Sequence, residues 1–321
     1  MDKNFSQSDK STPDVSVVIV NFNGMNFLEK CLDSLSTAFE RYTFETIVID
    51  NASTDGSQYY LRERKDIQYI ESLENLGFTK GNNRAIDSSA HGKIILLLNN
   101  DTRIESCLDP LIDFALKEDA GAVGCRLIYG DGRPQFSVGL DHTPLRLVLS
   151  WIGLEKYFWL PSIFRRVQTN SVFYKISHFG VDWISGACLA TRRDIWESIK
   201  GFDENFFMYC EDVDYCLRVR KLGKKNAYLS SVTVTHYEGA GKDWVGRMAL
   251  LRTVHSYKNY YLKYYSSIVS KITFFSLSCV FHIRALAFLV KSLFSHGKNK
   301  LIAKEKSFAF YEGANKLLEM L

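Results

Sequence analysis

The sequence predicts an α/β fold: a mostly parallel sheet flanked by helices, followed by a C-terminal helical extension. Three observations carry it. Residues 15–20 (VSVVIV), 46–49 (TIVI) and 94–98 (IILLL) are short apolar runs, the pattern of strands buried on both faces. Helical-period segments separate them, as parallel βαβ units require. Each run ends in a polar cluster: Asn21-Phe22-Asn23-Gly24, Asp50-Asn51-Ala52-Ser53, and Asn99-Asn100-Asp101-Thr102. Open α/β sheets bind ligands at such carboxyl ends.

The chain has 321 residues, 46% hydrophobic and 24% charged, enough for one large or two ordinary domains. Residues 1–13 are polar without an apolar core and read as a disordered lead-in, not a signal peptide. After the first strand, Asn26 and Glu29 have capping-box spacing, and Leu28, Cys31, Leu32, Leu35 and Phe39 keep one apolar face. The second strand delivers Asp50. A carboxylate there can accept a pyrimidine N–H or a ribose hydroxyl, or N-cap the next short helix. No GxGxxG follows the first strand, which disfavours a nicotinamide enzyme.

A third strand at 67–70 leads to Glu74-Asn75-Leu76-Gly77-Phe78-Thr79-Lys80-Gly81-Asn82-Asn83-Arg84. Gly77 and Gly81 allow a sharp turn or close approach to a ligand. The surrounding amides and bases suit phosphate or sugar hydroxyls, or simply cap a helix running to about Ser89. The strand at 94–98 then presents Asp101, which can hold a divalent cation against a phosphate or close an Asx turn. A helix is expected over 106–118 with Pro110 in its first turn, then a strand over 122–128 and a turn at Asp131-Gly132.

From 133 to 182 the pattern loosens. Residues 145–164, with Trp151, Tyr157, Phe158, Trp159, Leu160, Ile163 and Phe164, read as a helical hairpin on the core or as a loop receiving an apolar acceptor. A strand over 183–190 and a short helix over 192–199 follow. Glu211, Asp212 and Asp214 then crowd a helix start, approached by Phe206, Phe207 and Tyr209. The helix dipole accounts for one or two acids there, not three. Val213, Cys216, Leu217, the stem of Arg220 and Leu222 form the expected buried stripe, and Gly223 ends the helix. Strands at 226–229 and 232–235 lead to His236, a structural histidine unless Asp101 lies nearby, when it becomes a metal-ligand candidate.

Seven cysteines without a CxxC pair argue against a disulfide framework or structural zinc and for buried thiols in a reducing compartment. From Lys242 onward there are 13 Lys/Arg against 4 Asp/Glu, although the whole chain is only +4. Residues 244–265 are helical, with Arg247, Arg252, Lys258 and Lys263 among five tyrosines, which suits a membrane interface. Residues 268–290 are apolar but interrupted by Lys271, His282 and Arg284. That favours a helix on or in the inner leaflet over a spanning one, with a helical cap on the catalytic domain as the alternative. No binding motif points to nucleic acid.

Seven motifs in order resemble the inverting glycosyltransferases of family 2, in the rhamnosyltransferase-like branch: VSVVIVNFNG, VIDNASTDGS, ENLGFTKGNN, LLLNNDT, WISGACLATRR, GFDENFFMYCEDVDYCLR and VTHYEG. The resemblance covers about residues 15–241. It implies a GT-A, Rossmann-like fold, a dTDP- or UDP-sugar donor and Mg²⁺ or Mn²⁺. By this match Asp50 holds the base, Asp101 the metal and diphosphate, and His236 is a second metal ligand. Asn21, Asn23, Asn75, Gly77, Gly81, Asn83 and Asn100 complete the donor surface. Asp212 is the general base, and Trp183, Gly186 and Glu211 face the acceptor. An earlier acidic residue of the family's metal motif is replaced here by Asn99 or Asn100, leaving Asp101 as the main carboxylate ligand. The expected layout is a lead-in (1–13), a catalytic domain (14–241) and a basic extension (242–321). The expected enzyme is cytoplasmic, at the inner face of the plasma membrane. It would transfer rhamnose, or a galactofuranosyl or N-acetylhexosaminyl group, to a lipid-linked or polysaccharide acceptor. A non-catalytic nucleotide-sugar-binding scaffold is the other reading.

Overall fold

The structure, a computed structural model, describes residues 12–157, 161–237 and 246–321. The expectations for residues 1–11, for Phe158, Trp159 and Leu160, and for Trp244 and the end of the last motif lie outside these residues. Strand β1 (Val15–Asn21) is flanked in parallel by β2 (Phe44–Asn51) and β4 (Ile94–Leu98), and β3 (Gln68–Ser72) extends the sheet beyond β2. Side chains alternate between two cores. Val18, Ile47, Ile49, Ile95 and Leu97 face one; Val17, Ile19, Val48, Leu96 and Leu98 face the other. Burial on both faces is why these strands carry uninterrupted apolar runs.

Beyond β4 the sheet becomes mixed. Strand β10 (Cys188–Arg192) runs antiparallel between β4 and β6 (Ala120–Ile128). Strand β11 (Lys225–His236) is parallel to β6 and antiparallel to both β8 (His178–Val181) and β5 (Thr102–Ile104). The main order is β3-β2-β1-β4-β10-β6-β11-β5, and β7 (Val138–Gly139) pairs separately with β9 (Trp183–Ile184). Helices α1 (Met25–Ser34), α2 (Ser57–Glu63) and α4 (Asp109–Ala115) contribute to one core. The other receives α3 (Gly77–Ser89), α5 (Pro144–Ile152), α6 (Arg193–Ser198), α7 (Glu211–Lys221) and three C-terminal helices.

Several local expectations are corrected. Asn26 lies inside α1 rather than capping it; Gly24 is the N-cap, without a side-chain bond. The Met25 N–H instead donates to Asp55 Oδ2 at 2.8 Å, so the neighbouring loop satisfies the helix end. The helix expected over 106–118 is only α4, with Pro110 in its first turn. The expected strand over 183–190 is broken between β9 and β10, whereas the two strands after α7 are one, with a register shift between Leu229 and Thr233. Among the described residues no second helix follows α5 to make the expected hairpin; short 3-10 turns at Leu154–Lys156 and Ser162–Phe164 follow it. On α7, Leu222 is 46% exposed and Val219 takes its place, because Val213, Cys216 and Val219 are the residues facing the sheet.

The C-terminal helices are α8 (Arg247–Tyr264), α9 (Ser267–Leu293) and α10 (Gly297–Leu318). Helix α8 does not form the membrane-interface helix expected from its composition. Tyr257, Tyr260 and Tyr261 are buried in the same core as the sheet residues. Arg247 pairs with Glu312, and Lys263 pairs with Asp203 and Asp214. Helix α9 is different. Phe274, Leu277, Phe281 and Ala285 face inward, but Ile268, Ile272, Phe275, Ile283, Leu286 and Leu293 are exposed along its other side. It is long and apolar enough to cross a membrane by length and composition. Arg284, read as an interruption, folds inward to donate to the Trp151 carbonyl at 2.8 Å.

Candidate active site

The parallel register aligns Asn21 with Asp50 at the carboxyl edge. Asp50 is fully buried. Its Oδ1 accepts from Asn21 Nδ2 at 2.7 Å and Ser53 Oγ at 2.6 Å, and its Oδ2 accepts from the Ser53 N–H at 2.9 Å. It does not cap α2, whose N-cap is Gly56. Asn21 Oδ1 in turn accepts from Asn100 Nδ2 at 2.7 Å, so one chain of hydrogen bonds crosses the ends of β2, β1 and β4. Gly24 packs against this chain, where an added Cβ would collide with Asn100 Nδ2 and Asn21 Oδ1. Asn23, at φ +52°, staples the loop by accepting from the Thr54 N–H at 2.7 Å.

At the end of β4 the chain turns into β5. Pairing of β5 with β11 sets His236 opposite Thr102, and the Tyr237 N–H donates to the Asp101 carbonyl at 2.8 Å. His236 Nε2 therefore lies 3.2 Å from Asp101 Oδ1. Asn99 Nδ2 is 3.1 Å from the same nitrogen, and His236 Nδ1 is 2.9 Å from Gln135 Oε1. With the proton on Nδ1, donated to Gln135, Nε2 is the acceptor for Asn99 Nδ2 and lies beside the Asp101 carboxylate. A cation between Nε2 and the carboxylate would replace the Asn99 N–H as the partner of Nε2, and Asn99 Oδ1 is buried without a partner among the described residues. Carboxylate oxygen, imidazole nitrogen and amide oxygen fit Mg²⁺ or Mn²⁺. Of the two neighbouring asparagines, Asn99 lies beside His236 and Asn100 joins the strand-end chain.

A cleft of about 300 Å³ opens here, lined among others by Phe22, Asn75, Phe78, Asp101, His236 and Arg252. Gly77 forms its corner at φ +78°, where an added Cβ would lie 2.7 Å from Phe207 Cδ2. The Phe78 N–H donates to the Phe207 carbonyl at 2.9 Å, Asn75 Oδ1 accepts from the Gly77 N–H, and Asn51 Nδ2 donates to the Gly77 carbonyl. Gly81 packs against Val20, with an added Cβ at 3.0 Å. Asn83 does not line the cleft. Its Oδ1 accepts from the Phe202 N–H at 3.0 Å and its Nδ2 donates to the Phe202 carbonyl at 2.9 Å, so it braces the loop before α7.

That loop ends in two consecutive non-glycine residues in the left-handed region, Tyr209 (φ +70°) and Cys210 (φ +67°). Such strain persists only where the surroundings impose it, and here it turns the chain directly into α7. Asp212 Oδ2 accepts from the Gly186 N–H at 3.2 Å, and Oδ1 from the Val213 N–H at 2.8 Å. Gly186 sits between the cleft wall and Asp212: an added Cβ would lie 3.4 Å from Phe78 and 3.7 Å from Asp212 Cβ. Glu211 is buried, and its Oε2 has no partner among the described residues. Burial and the adjacent Asp212 charge push its carboxyl well above the usual range. Burial raises Asp212 as well, but backbone N–H donors oppose it. Asp212 thus has two backbone donors that favour its charged form, whereas Glu211 Oε2 has no partner among the described residues. Asp214 is structural, bonded to Arg218 Nε, Lys263 Nζ and the Tyr264 hydroxyl. Trp183 is buried, its indole N–H donated to the Leu140 carbonyl at 2.9 Å, and it does not line the cleft.

The sequence reading missed Gln135, Ser53 and Gly24. Ser53 and Gly24 stand within quoted motifs and were accessible as turn residues. Gln135 lies in the irregular stretch after β6 and carries no local signal.

A sheet of this order, with a carboxylate and a histidine meeting beyond β4 and an acidic pair at the start of a following helix, has the architecture of the GT-A class. The family model described as "Glycosyl transferase family 2" matches residues 16–195, and the chain belongs to that family. The N-acetylglucosaminyl-diphospho-decaprenol L-rhamnosyltransferase of Mycobacterium tuberculosis is 29% identical over 248 residues, covering 73% of this chain and 80% of that one. Rhamnosyltransferase WbbL of Escherichia coli is 25% identical over 236 residues, covering 70% and 83%. Other relatives are much longer: the chain spans 18% of the O-antigen biosynthesis protein RfbC of Myxococcus xanthus, at 27% identity over 73% of this chain. In three dimensions, the mannosyltransferase PcManGT of Pyrobaculum calidifontis, solved with GDP-Man and Mn²⁺, superposes with TM-score 0.55 at 15% identity, covering 96% of this chain and 88% of that one. That likeness shows the fold.

Proposed function

We propose that this chain is an inverting, metal-dependent glycosyltransferase of bacterial surface-glycan synthesis. It moves a sugar, with rhamnose favoured, from a nucleoside-diphosphate donor to a hydroxyl of a lipid-linked or polysaccharide acceptor. The observation that carries this reading is the 3.2 Å approach of His236 Nε2 to Asp101 Oδ1 at the edge of the cleft, with Gln135 fixing the imidazole from behind. The two rhamnosyltransferase relatives, which this chain covers over most of their length, support the choice of sugar.

Asp101, His236 and Asn99 would hold the divalent ion, which when bound neutralises charge developing on the departing diphosphate. Displacement at the anomeric carbon passes through an oxocarbenium-like state and needs a base on the opposite face. Asp212, ionised and oriented by the Gly186 and Val213 N–H groups, takes the acceptor hydroxyl proton. Glu211, protonated beside it, adds no competing charge. The decisive experiment uses Asp212→Asn. It should bind dTDP or UDP with Mg²⁺ as the parent does, while transfer falls by about 10²–10⁴-fold. Full transfer in that variant sinks the assignment, and metal-independent binding of both nucleotides by the parent protein sinks the metal site.

The outer face of α9 supports a place at the cytoplasmic surface of the membrane. Ile268, Ile272, Phe275, Ile283, Leu286 and Leu293 form one exposed apolar stripe, and Lys291, Lys298 and Lys300 follow near its end. Apolar burial plus attraction to anionic lipid is how interfacial helices bind. The inward face of α9 is part of the core, so point substitutions test this better than truncation. Ile272→Glu with Leu286→Glu should release the protein from anionic vesicles without lowering its melting temperature. Unchanged co-sedimentation refutes the membrane role.

A further inference from the structure

We propose that Arg252, on the C-terminal helix α8, is a diphosphate-binding residue of the cleft. This rests on the glycosyltransferase reading and extends it to a residue outside the matched family region and outside every motif above.

Arg252 lines the same cleft as Asp101 and His236. Its guanidinium lies 4.8 Å from the centre of the Phe207 ring. No carboxylate among the described residues pairs with it; its polar neighbour is Met208 Sδ at 3.5 Å. The contrast within α8 is informative, since Arg247 is neutralised by Glu312 and Lys263 by Asp203 and Asp214. A half-buried guanidinium left without a counter-charge is costly unless an anion completes it. Stacked on an aromatic face, its planar fork of N–H donors is already oriented for bidentate contact with phosphate oxygens.

The support beneath Arg252 is built as well. Ser256, one turn further along α8, donates its hydroxyl to the Met208 carbonyl at 2.8 Å. The Phe207 carbonyl accepts from the Phe78 N–H in the first turn of the 13-residue helix α3. Guanidinium, Phe207 and the positive end of α3 are thus tied into one unit. The cleft offers a cation-holding group from Asp101 and His236 and a fixed cation from Arg252. A metal-bound diphosphate complements both.

That diphosphate could come from the nucleotide donor or from an isoprenyl-diphosphate acceptor, and one set of titrations separates them. Parent protein, Arg252→Ala and Arg252→Lys are titrated with dTDP, UDP, their monophosphates and farnesyl diphosphate, each with Mg²⁺, after confirming equal melting temperatures. If the donor supplies it, Arg252→Ala binds the nucleoside diphosphate about 10–100-fold more weakly, the monophosphate changes little, and Arg252→Lys falls between. If the acceptor supplies it, nucleotide binding is unchanged and the loss appears with farnesyl diphosphate. Unchanged affinity for both diphosphates in Arg252→Ala overturns the proposal alone. Failure of the parent protein to bind any diphosphate overturns the glycosyltransferase reading and this inference together.

Discussion

Asp50 and Asp101 stand at the carboxyl ends of β2 and β4, the two strands that flank β1, yet they are in opposite physical states. Asp50 has no exposed surface, and its carboxylate accepts three hydrogen bonds from Asn21 and Ser53. Asp101 is a quarter exposed and faces the His236 ring and a cleft. The first end is closed: its polar groups satisfy one another and fix the loop geometry. The second is open: its polar groups converge and leave Asn99 Oδ1 without a partner among the described residues. An acidic residue after a buried strand is therefore a signal of the edge, and its hydrogen-bond inventory decides whether it builds the site or acts in it.

The largest expected effect breaks the open end. Asp101→Asn should lower Mg²⁺-dependent nucleotide affinity by at least the roughly 10–100-fold that loss of a ligand's supporting partner costs, and leave the melting temperature within a few degrees. Calorimetric titration with and without chelator reads it. A large stability loss with intact metal dependence would place Asp101 in the closed class instead. Asp50→Ala should do the reverse. It leaves the buried Asn21 amide and Ser53 groups without their acceptor, at about 1–3 kcal/mol for each unsatisfied group, seen as a lower denaturation midpoint. Metal affinity should weaken only through the displaced Asn100. Gly24→Ala probes the same chain sterically. An added methyl collides with Asn100 and Asn21, so about 1–3 kcal/mol of destabilisation is expected from overpacking, again read by denaturant midpoint.

The same contrast explains what the sequence made legible. β1, β2 and β4 are local apolar runs, and the loops that follow them carry Asn21, Asp50 and Asp101 in unmistakable order. The meeting of Asp101 with His236 depended on β5, three residues long and without a strand signature, pairing with the far end of β11. Asn83 looked like a donor ligand because it stands in a glycine- and amide-rich motif, but six residues into the helix it points at Phe202. Helix α8 was misread for a different reason. Tyrosines and cations are common to membrane interfaces and to amphipathic packing against a polar network. Only the tertiary contacts, with Tyr257, Tyr260 and Tyr261 interior and Lys263 on Asp214, separate the two.

The smallest effect sharpens the comparison within the interior itself. Asp50 and Glu211 are both buried carboxyl groups, but among the described residues Asp50 has three donors and Glu211 has an oxygen with none. Burial and the Asp212 charge raise the Glu211 carboxyl well above its usual range. The folded state therefore holds this proton more tightly than the unfolded chain does. Its stabilising contribution is fully present below the unfolded carboxyl range and is lost as pH rises through the raised folded value. Glu211→Gln keeps the shape and removes the titration. The variant should match the parent near pH 4 and exceed it by about 1 kcal/mol for each unit of the shift traversed above that, measured as denaturant midpoints across a pH series. Parallel profiles for the two proteins would mean that Glu211 is ionised in the fold, and Asp212 would then share its site with a second charge instead of standing beside a neutral neighbour.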